Sequence, residues 1–168
     1  MVGLNGVFTK GRLAMGLDIR LCVTPAEVIR VLDEIDNDEM RMAALAILQN
    51  MPGGRISTRP GSYAGIHRVR AVYAELKGIV PQSLDEVLPE DLHGSHLCHH
   101  SDCDGWYLPD DFSEPIWQDS FSIGSSQKLL AELWEIRGEP VAHCKHEWEE
   151  VFIAAFASVV TRTAIEFS

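Results

Sequence analysis

Apolar residues recur at helical spacing through most of this chain, with short apolar runs of strand length between. Leu17 to Val23 is such a run, read as a first strand in which Cys22 is a small core residue. Thr24-Pro25-Ala26-Glu27 then predicts a helix start. Thr24 caps, Pro25 suits the first helical position, and Glu27 completes a capping box. Val28, Val31, Leu32 and Ile35 continue that helix. A second follows Asn37, carries Met40, Ala44, Ile47, Leu48 and Met51, and stops at Pro52-Gly53-Gly54. After an extended piece at Ile56-Ser57-Thr58, Pro60-Gly61-Ser62 turns the chain into a third helix. Tyr63, Ile66, Val69, Tyr73 and Leu76 mark its buried side, and Ser83-Leu84-Asp85-Glu86 opens a short helical turn.

The centre predicts a hairpin. Ser95 to His99 and Trp106 to Leu108 flank Ser101-Asp102-Cys103-Asp104-Gly105, where Asp-Gly favours positive φ and sharp reversal. Pro109, Pro115 and several acids make the chain irregular from there to about Ile123. Gly124-Ser125-Ser126 starts a helix with Leu129, Leu130, Leu133 and Ile136, ended by Gly138. The last helix runs from Lys145 with Trp148, Phe152, Ala155, Phe156 and Val159, and Ala164 to Phe167 forms a short final strand.

These elements predict an α+β fold: a small, mostly antiparallel sheet with a central hairpin, packed against about five helices. A length of 168 residues with 46% apolar content fits one domain, and neither a repeat nor a linker divides it. The domain is placed at 15–168. Residues 1–14, with Gly3, Gly6 and Gly11 and no periodicity, are read as a loose N-terminal extension before Met15.

Charge sharpens the picture. The net charge is -11, which disfavours nonspecific binding to nucleic acid and suits a basic protein partner or a small molecule. It also simply keeps a protein soluble. The acids are segregated: ten Asp and Glu, and no Lys or Arg, lie between Lys77 and Lys128. Arg55, Arg59, Arg68, Arg70 and Lys77 come just before, with only Glu75 among them. No apolar run approaches the roughly 18 to 20 residues that span a bilayer, so no membrane partner is expected. The N-terminus lacks the pattern of a secretory signal, and Cys22, Cys98, Cys103 and Cys144 are too sparse for a disulfide scaffold. A cytoplasmic protein with reduced thiols is the expectation.

The polar chemistry concentrates in His96-Leu97-Cys98-His99-His100-Ser101-Asp102-Cys103-Asp104-Gly105-Trp106-Tyr107. One reading is a structural zinc site in which Cys98 and Cys103 are joined by His143, Cys144 and His146. The spacing fits poorly, and adjacent residues of a strand face opposite ways, so the expected cofactor is none, with zinc as the alternative. The Asp102-to-Gly105 turn lacks the ligand ladder of a calcium loop. A second reading makes His100, Asp102 and Asp104 a polar ligand or acid–base site. It faces Ser62, Tyr63, His67 and Arg70 from the third helix, with Tyr107 beside it. Against this, Asp102 and Asp104 serve equally well to build the turn, and the arginines a solvated face. No nucleophile elbow, P-loop, zinc-protease motif or dinucleotide fingerprint is present, so the chain reads as noncatalytic.

Met15-Gly16-Leu17-Asp18-Ile19, Gly61-Ser62-Tyr63 followed by Arg70, the string His100-Ser101-Asp102-Cys103-Asp104-Gly105, and Leu129-Leu130-Ala131-Glu132-Leu133 resemble a group of small, uncharacterised bacterial proteins. Some members of that group are regarded as immunity proteins of bacterial toxin systems. The resemblance implies a bacterial cytoplasmic α+β protein that binds a partner, with the acidic hairpin region covering a basic toxin. It transfers no catalytic residues. The N-terminal extension and the 110–123 insertion depart from the group's pattern. The alternatives remain a small-molecule or enzymatic pocket between the Tyr63–Arg70 helix and the His99–Tyr107 hairpin, and a structural zinc protein.

Overall fold

The computed structural model describes residues 17–60, 63–80, 92, 94–98, 105–118 and 121–168. It begins with β1 (Ile19–Arg20), α1 (Pro25–Arg30), a 3-10 turn at Leu32–Glu34, α2 (Asp38–Leu48), β2 (Ser57–Thr58) and α3 (Tyr63–Leu76). Then come β3 (Gly105–Leu108), β4 (Ile116–Gln118), β5 (Phe121–Ser125), α4 (Ser126–Glu135), a 3-10 segment at Glu139–Cys144, α5 (Lys145–Thr161) and β6 (Ile165–Phe167). The strands form one sheet in the order β2-β1-β6-β3-β5-β4. Only β3 and β5 pair in parallel; β1–β2, β1–β6, β3–β6 and β4–β5 are antiparallel. The expected α+β domain, with five helices and a mostly antiparallel sheet, is what the chain forms.

The helix starts follow from local chemistry. The Thr24 side chain accepts from the Glu27 N–H while Glu27 reaches back to the Thr24 N–H, closing the capping box. Asn37 caps α2 through the Met40 N–H at 2.9 Å, and Ser125 caps α4 through that of Lys128. Helix α5 is buried on every side from Val151 to Ser158 and packs on all the other α-helices and on β1, β2 and β6. Trp148 stacks on Phe152 at 4.7 Å between ring centroids. A buried polar pair inside this packing, Ser126 with Ser158, is joined by a 2.6 Å hydrogen bond.

Four expectations are corrected. Leu17, Ile19, Leu21 and Val23 all face the core, so the period of two turns Cys22 outward, and it is exposed rather than buried. Residues 95–98 form turns and not a strand, because the N–H groups of His96, Leu97 and Cys98 are taken by side chains, as described below, and that of Ser95 by the Leu92 carbonyl. The stretch expected to be irregular holds the β4–β5 pair. Its strands escape notice because β5 alternates the wrong way round, with Ser122 buried and Phe121 exposed. Leu76, at the end of α3, is 53% exposed. The N-terminal extension, the helical turn at 83–86 and the tip of the central hairpin lie outside the described residues. Among the described residues no helix is long and apolar enough to cross a membrane.

Candidate functional site

Two of the side chains expected at a site do converge, on the backbone of one turn. Arg70 is buried on α3 and donates from Nε to the Leu97 carbonyl at 2.9 Å. Tyr107 is buried on β3, packs on Phe167, and donates its hydroxyl hydrogen to the His96 carbonyl. The other side of the same turn is held by Glu132 on α4. Its carboxylate accepts from Ser95 Oγ at 2.9 Å, from the His96 N–H at 3.0 Å and from the Leu97 N–H at 2.7 Å. Ser95 Oγ in turn accepts from the Cys98 N–H. Burial pushes the Glu132 carboxyl up against these donors, which pull it down.

The His96 ring closes the network. Nδ1 accepts from the Ser125 N–H at 2.8 Å, which leaves Nε2–H to donate to the Ser113 carbonyl at 3.3 Å. Burial pushes the imidazole below its ordinary range, so it is neutral in the fold. Residues 95–98 are thus fixed from α3, β3, β5 and α4 at once, next to the polar string 99–104. Reading the sequence singled out Arg70 and Tyr107 here but missed Glu132 and His96 as the groups that organise the turn. Glu132 was visible only as part of a helical motif.

The remaining expected residues are placed as follows. Ser62, His100, Cys103, Asp102 and Asp104 lie outside the described residues, as does the Tyr63 side chain. His67 is half-buried on α3. Arg68 is ion-paired with Glu147 of α5. Cys98 is buried, its thiol pushed up to about 11 by burial, and it points to the Arg70 carbonyl. Cys144 is buried, whereas His143 and His146 are exposed. Among the described residues no three His, Cys, Asp or Glu side chains are grouped to hold a metal ion.

The acidic surface has a centre of its own. Between α1 and α2, Asp33-Glu34-Ile35-Asp36-Asn37-Asp38-Glu39 has no base and exposes every one of its carboxylates. Arg41 braces the segment, pairing with Asp38 and Asp33 and donating to the Ile35 carbonyl at 3.2 Å. Arg137, lying over the Trp134 ring, pairs with Glu39 at 3.4 Å and ties the end of α4 to the start of α2. Lys77 pairs with Glu135 at 2.7 Å and ties the end of α3 to the same place. One end of the molecule therefore gathers the 33–39 acids, Glu75, Glu135 and Glu139 around three bases.

Elsewhere the bases are already taken. Among the described residues every Lys and Arg except Arg30, Arg55 and Arg70 is ion-paired. The surplus is acid: Glu34, Asp36, Glu75, Glu114, Glu139 and Glu166 have no such partner there. The sequence showed the 33–39 run plainly, but the longer base-free region after Lys77 drew attention from it. Asp85, Glu86, Glu90 and Asp91 of that region lie outside the described residues.

Comparison with curated proteins and with solved structures finds no match to this chain. A protein family described as "Putative DNA-mimic protein" matches residues 15–140. This corrects the expected partners. Acidity had set the chain apart from nucleic acid, with a basic protein or a small molecule in its place; the family's description connects it to DNA, by imitation. The match spans well over half of the chain, and the protein is a member of the family described as "Putative DNA-mimic protein".

Proposed function

We propose that the protein occupies the DNA-binding face of a DNA-binding protein, setting carboxylates where DNA sets phosphates. The observation that carries this reading is the braced acidic end formed by residues 33–39, Glu75, Glu135 and Glu139. Its ion pairs hold Asp33, Asp38, Glu39 and Glu135 and bridge three helices, so the unpaired Glu34, Asp36, Glu75 and Glu139 stand on or beside braced helical segments and not on free tails. A surface that copies DNA needs such fixity, because phosphates are regularly spaced and lost side-chain entropy weakens association. Like charge of one sign also steers the approach of a DNA-binding face and makes the complex salt-sensitive, as phosphate contacts are. No chemical step is involved. The motif resemblance adds an immunity role as a special case, in which the protein covered is a bacterial toxin.

Displacement from DNA tests the proposal. DNA-binding proteins of the host, held on immobilised duplex, are exposed to the purified chain, and those released are then assayed singly by gel shift. The expected result is release of at least one of them by about 10 μM chain, weakening steeply as salt rises from about 50 to 200 mM. Glu34→Lys with Asp36→Lys weakens release at least about tenfold, whereas Glu166→Lys on the sheet leaves it unchanged. Release of nothing, or release that ignores the acidic-end substitutions, overturns the reading.

A further inference from the structure

The sheet face turned away from the helices carries, among the described residues, a pattern opposite to the one that builds a core. On β5, Ser122 and Gly124 turn toward the helices and are buried, while Phe121 and Ile123 turn away. The register extends this across three strands: Ile123 is paired with Trp106 of β3 on one side and with Ile116 of β4 on the other. Trp106 is 44% exposed, Ile116 51% and Phe121 39%. The same row continues through Glu166 of β6 and Arg20 of β1. The face therefore has an apolar half and a polar half.

We infer that the apolar half is where two copies of this chain meet, face to face. Charge is the first argument. The strands β3, β4 and β5 contain no charged residue in a chain of net charge -11, so the apolar rows themselves set no like charges opposite one another. A DNA-binding protein, drawn by carboxylates, goes to the acidic end instead. Symmetry is the second. Trp106 and Ile116 stand one strand to either side of Ile123, about 5 Å each way. A twofold axis along β5 lays Ile123 on its own copy and each large Trp106 ring over the smaller Ile116 of the second copy, twice. Such an interface is isologous and closed, and makes dimers and not fibres.

Area sets its strength. A handful of side chains falls short of the roughly 800 Å² per partner of a stable complex. The dimer is therefore one that exchanges, with half-association at about 10–100 μM. Glu166 and Arg20 supply the polar rim.

Sedimentation velocity of the full chain from about 1 to 500 μM, at about 0.15 and 0.5 M NaCl, tests this. A monomer–dimer equilibrium that tightens at the higher salt is expected, since screening relieves repulsion between acidic copies. Ile116→Lys and Trp106→Lys each weaken it at least about tenfold, while Met42→Lys, at an exposed position of α2, leaves it unchanged. Far-ultraviolet circular dichroism establishes that each variant is folded. A monomer at every concentration overturns the inference, whether the face is bare or Trp106 is shielded from acrylamide by the chain's own remaining residues. So does a dimer indifferent to the two face substitutions, or one that dissociates in high salt.

Discussion

Replacing Glu132 by Ala is the severest single test of how the 95–98 turn is held. The substitution removes one acceptor group that serves two backbone N–H groups and a hydroxyl. Hydrogen bonds to a charged group contribute about 1.5–3 kcal/mol each, and a buried N–H left without a partner costs about 1–3 kcal/mol. Ser95 Oγ can turn elsewhere, and taking a carboxylate out of a buried site gives something back, so the three terms do not add in full. A loss of about 3–5 kcal/mol remains, a large share of the stability of an ordinary domain. With a urea slope of about 2 kcal/mol per molar, the midpoint falls by about 2 M. Glu132→Gln keeps one acceptor oxygen but turns an NH₂ toward donors, and loses about 2 kcal/mol. Glu135→Ala, one turn on, provides the comparison. Its carboxylate pairs with Lys77 at a site where both side chains are more than 40% exposed, so at most about 1 kcal/mol is lost. Urea unfolding followed by far-ultraviolet circular dichroism measures all three. If Glu132→Ala costs no more than Glu135→Ala, the carboxylate does not hold the turn.

Three further outcomes follow from the structure. His96 is buried and its pKa is lowered by that burial; the unfolded chain therefore takes up the proton first, and stability is lost as pH falls from about 6.5 toward the folded value. His96→Gln flattens this part of the pH profile, and a profile unchanged by the substitution refutes the assignment. Burial raises the Glu150 carboxyl, one of whose oxygens has no hydrogen-bond partner among the described residues. The folded state thus binds this proton more tightly, and stability is lost as pH rises from the ordinary carboxylate range through the folded value. Glu150→Gln is accordingly more stable than the parent at pH 7.5 by about 1 kcal/mol, and the gain vanishes near pH 4; an exposed control, Glu34→Gln, shows no such pH dependence. Gly65 on α3 lies against Pro60, where an added Cβ would collide with the Pro60 carbonyl oxygen and fall 2.8 Å from Glu147 Cγ. Gly65→Ala lowers stability by about 2 kcal/mol or more in thermal unfolding, and an unchanged melting temperature would show that the turn yields freely.

The helices were legible because their signals are local. Thr24 with Glu27, Asn37 before α2 and Ser125 before α4 each name a boundary within four residues, and Gly138 punctuates the end of α4. What was not legible depends on contacts distant in sequence. Glu132 reaches back about 35 positions to the turn at residues 95–97, so nothing near Ser95 announces that its N–H groups are spoken for. Ser95 to His99 consequently resembles a strand. β5 was hidden for another reason: its apolar residues face away from the core, so the usual equation of apolar with inward fails there. Cys22 shows the converse error, since an apolar neighbourhood does not fix which parity of a strand faces inward. For function, acidity was taken as the dominant property and placed in the longest base-free stretch, much of which lies outside the described residues. The braced 33–39 segment is shorter and becomes a surface only when Arg137 and Lys77 draw three helices to one end.

The place of β6 in the sheet governs when this protein can exist at all during synthesis. It lies between β1 and β3, so the strands made early, β1 and β2, have no bond to those made later until β6 joins them. It is also the last described strand to leave the ribosome, directly after α5, the helix on which the others pack. Until then the nascent chain carries two unconnected pieces of sheet, β2–β1 and β3–β5–β4, and apolar helix faces with nothing to cover them, a state open to chaperones and proteases. Folding is therefore completed only once β6 has been made, and its closing step joins segments from opposite ends of the described chain, Ile19 with Phe167, across a long and slowly closed loop.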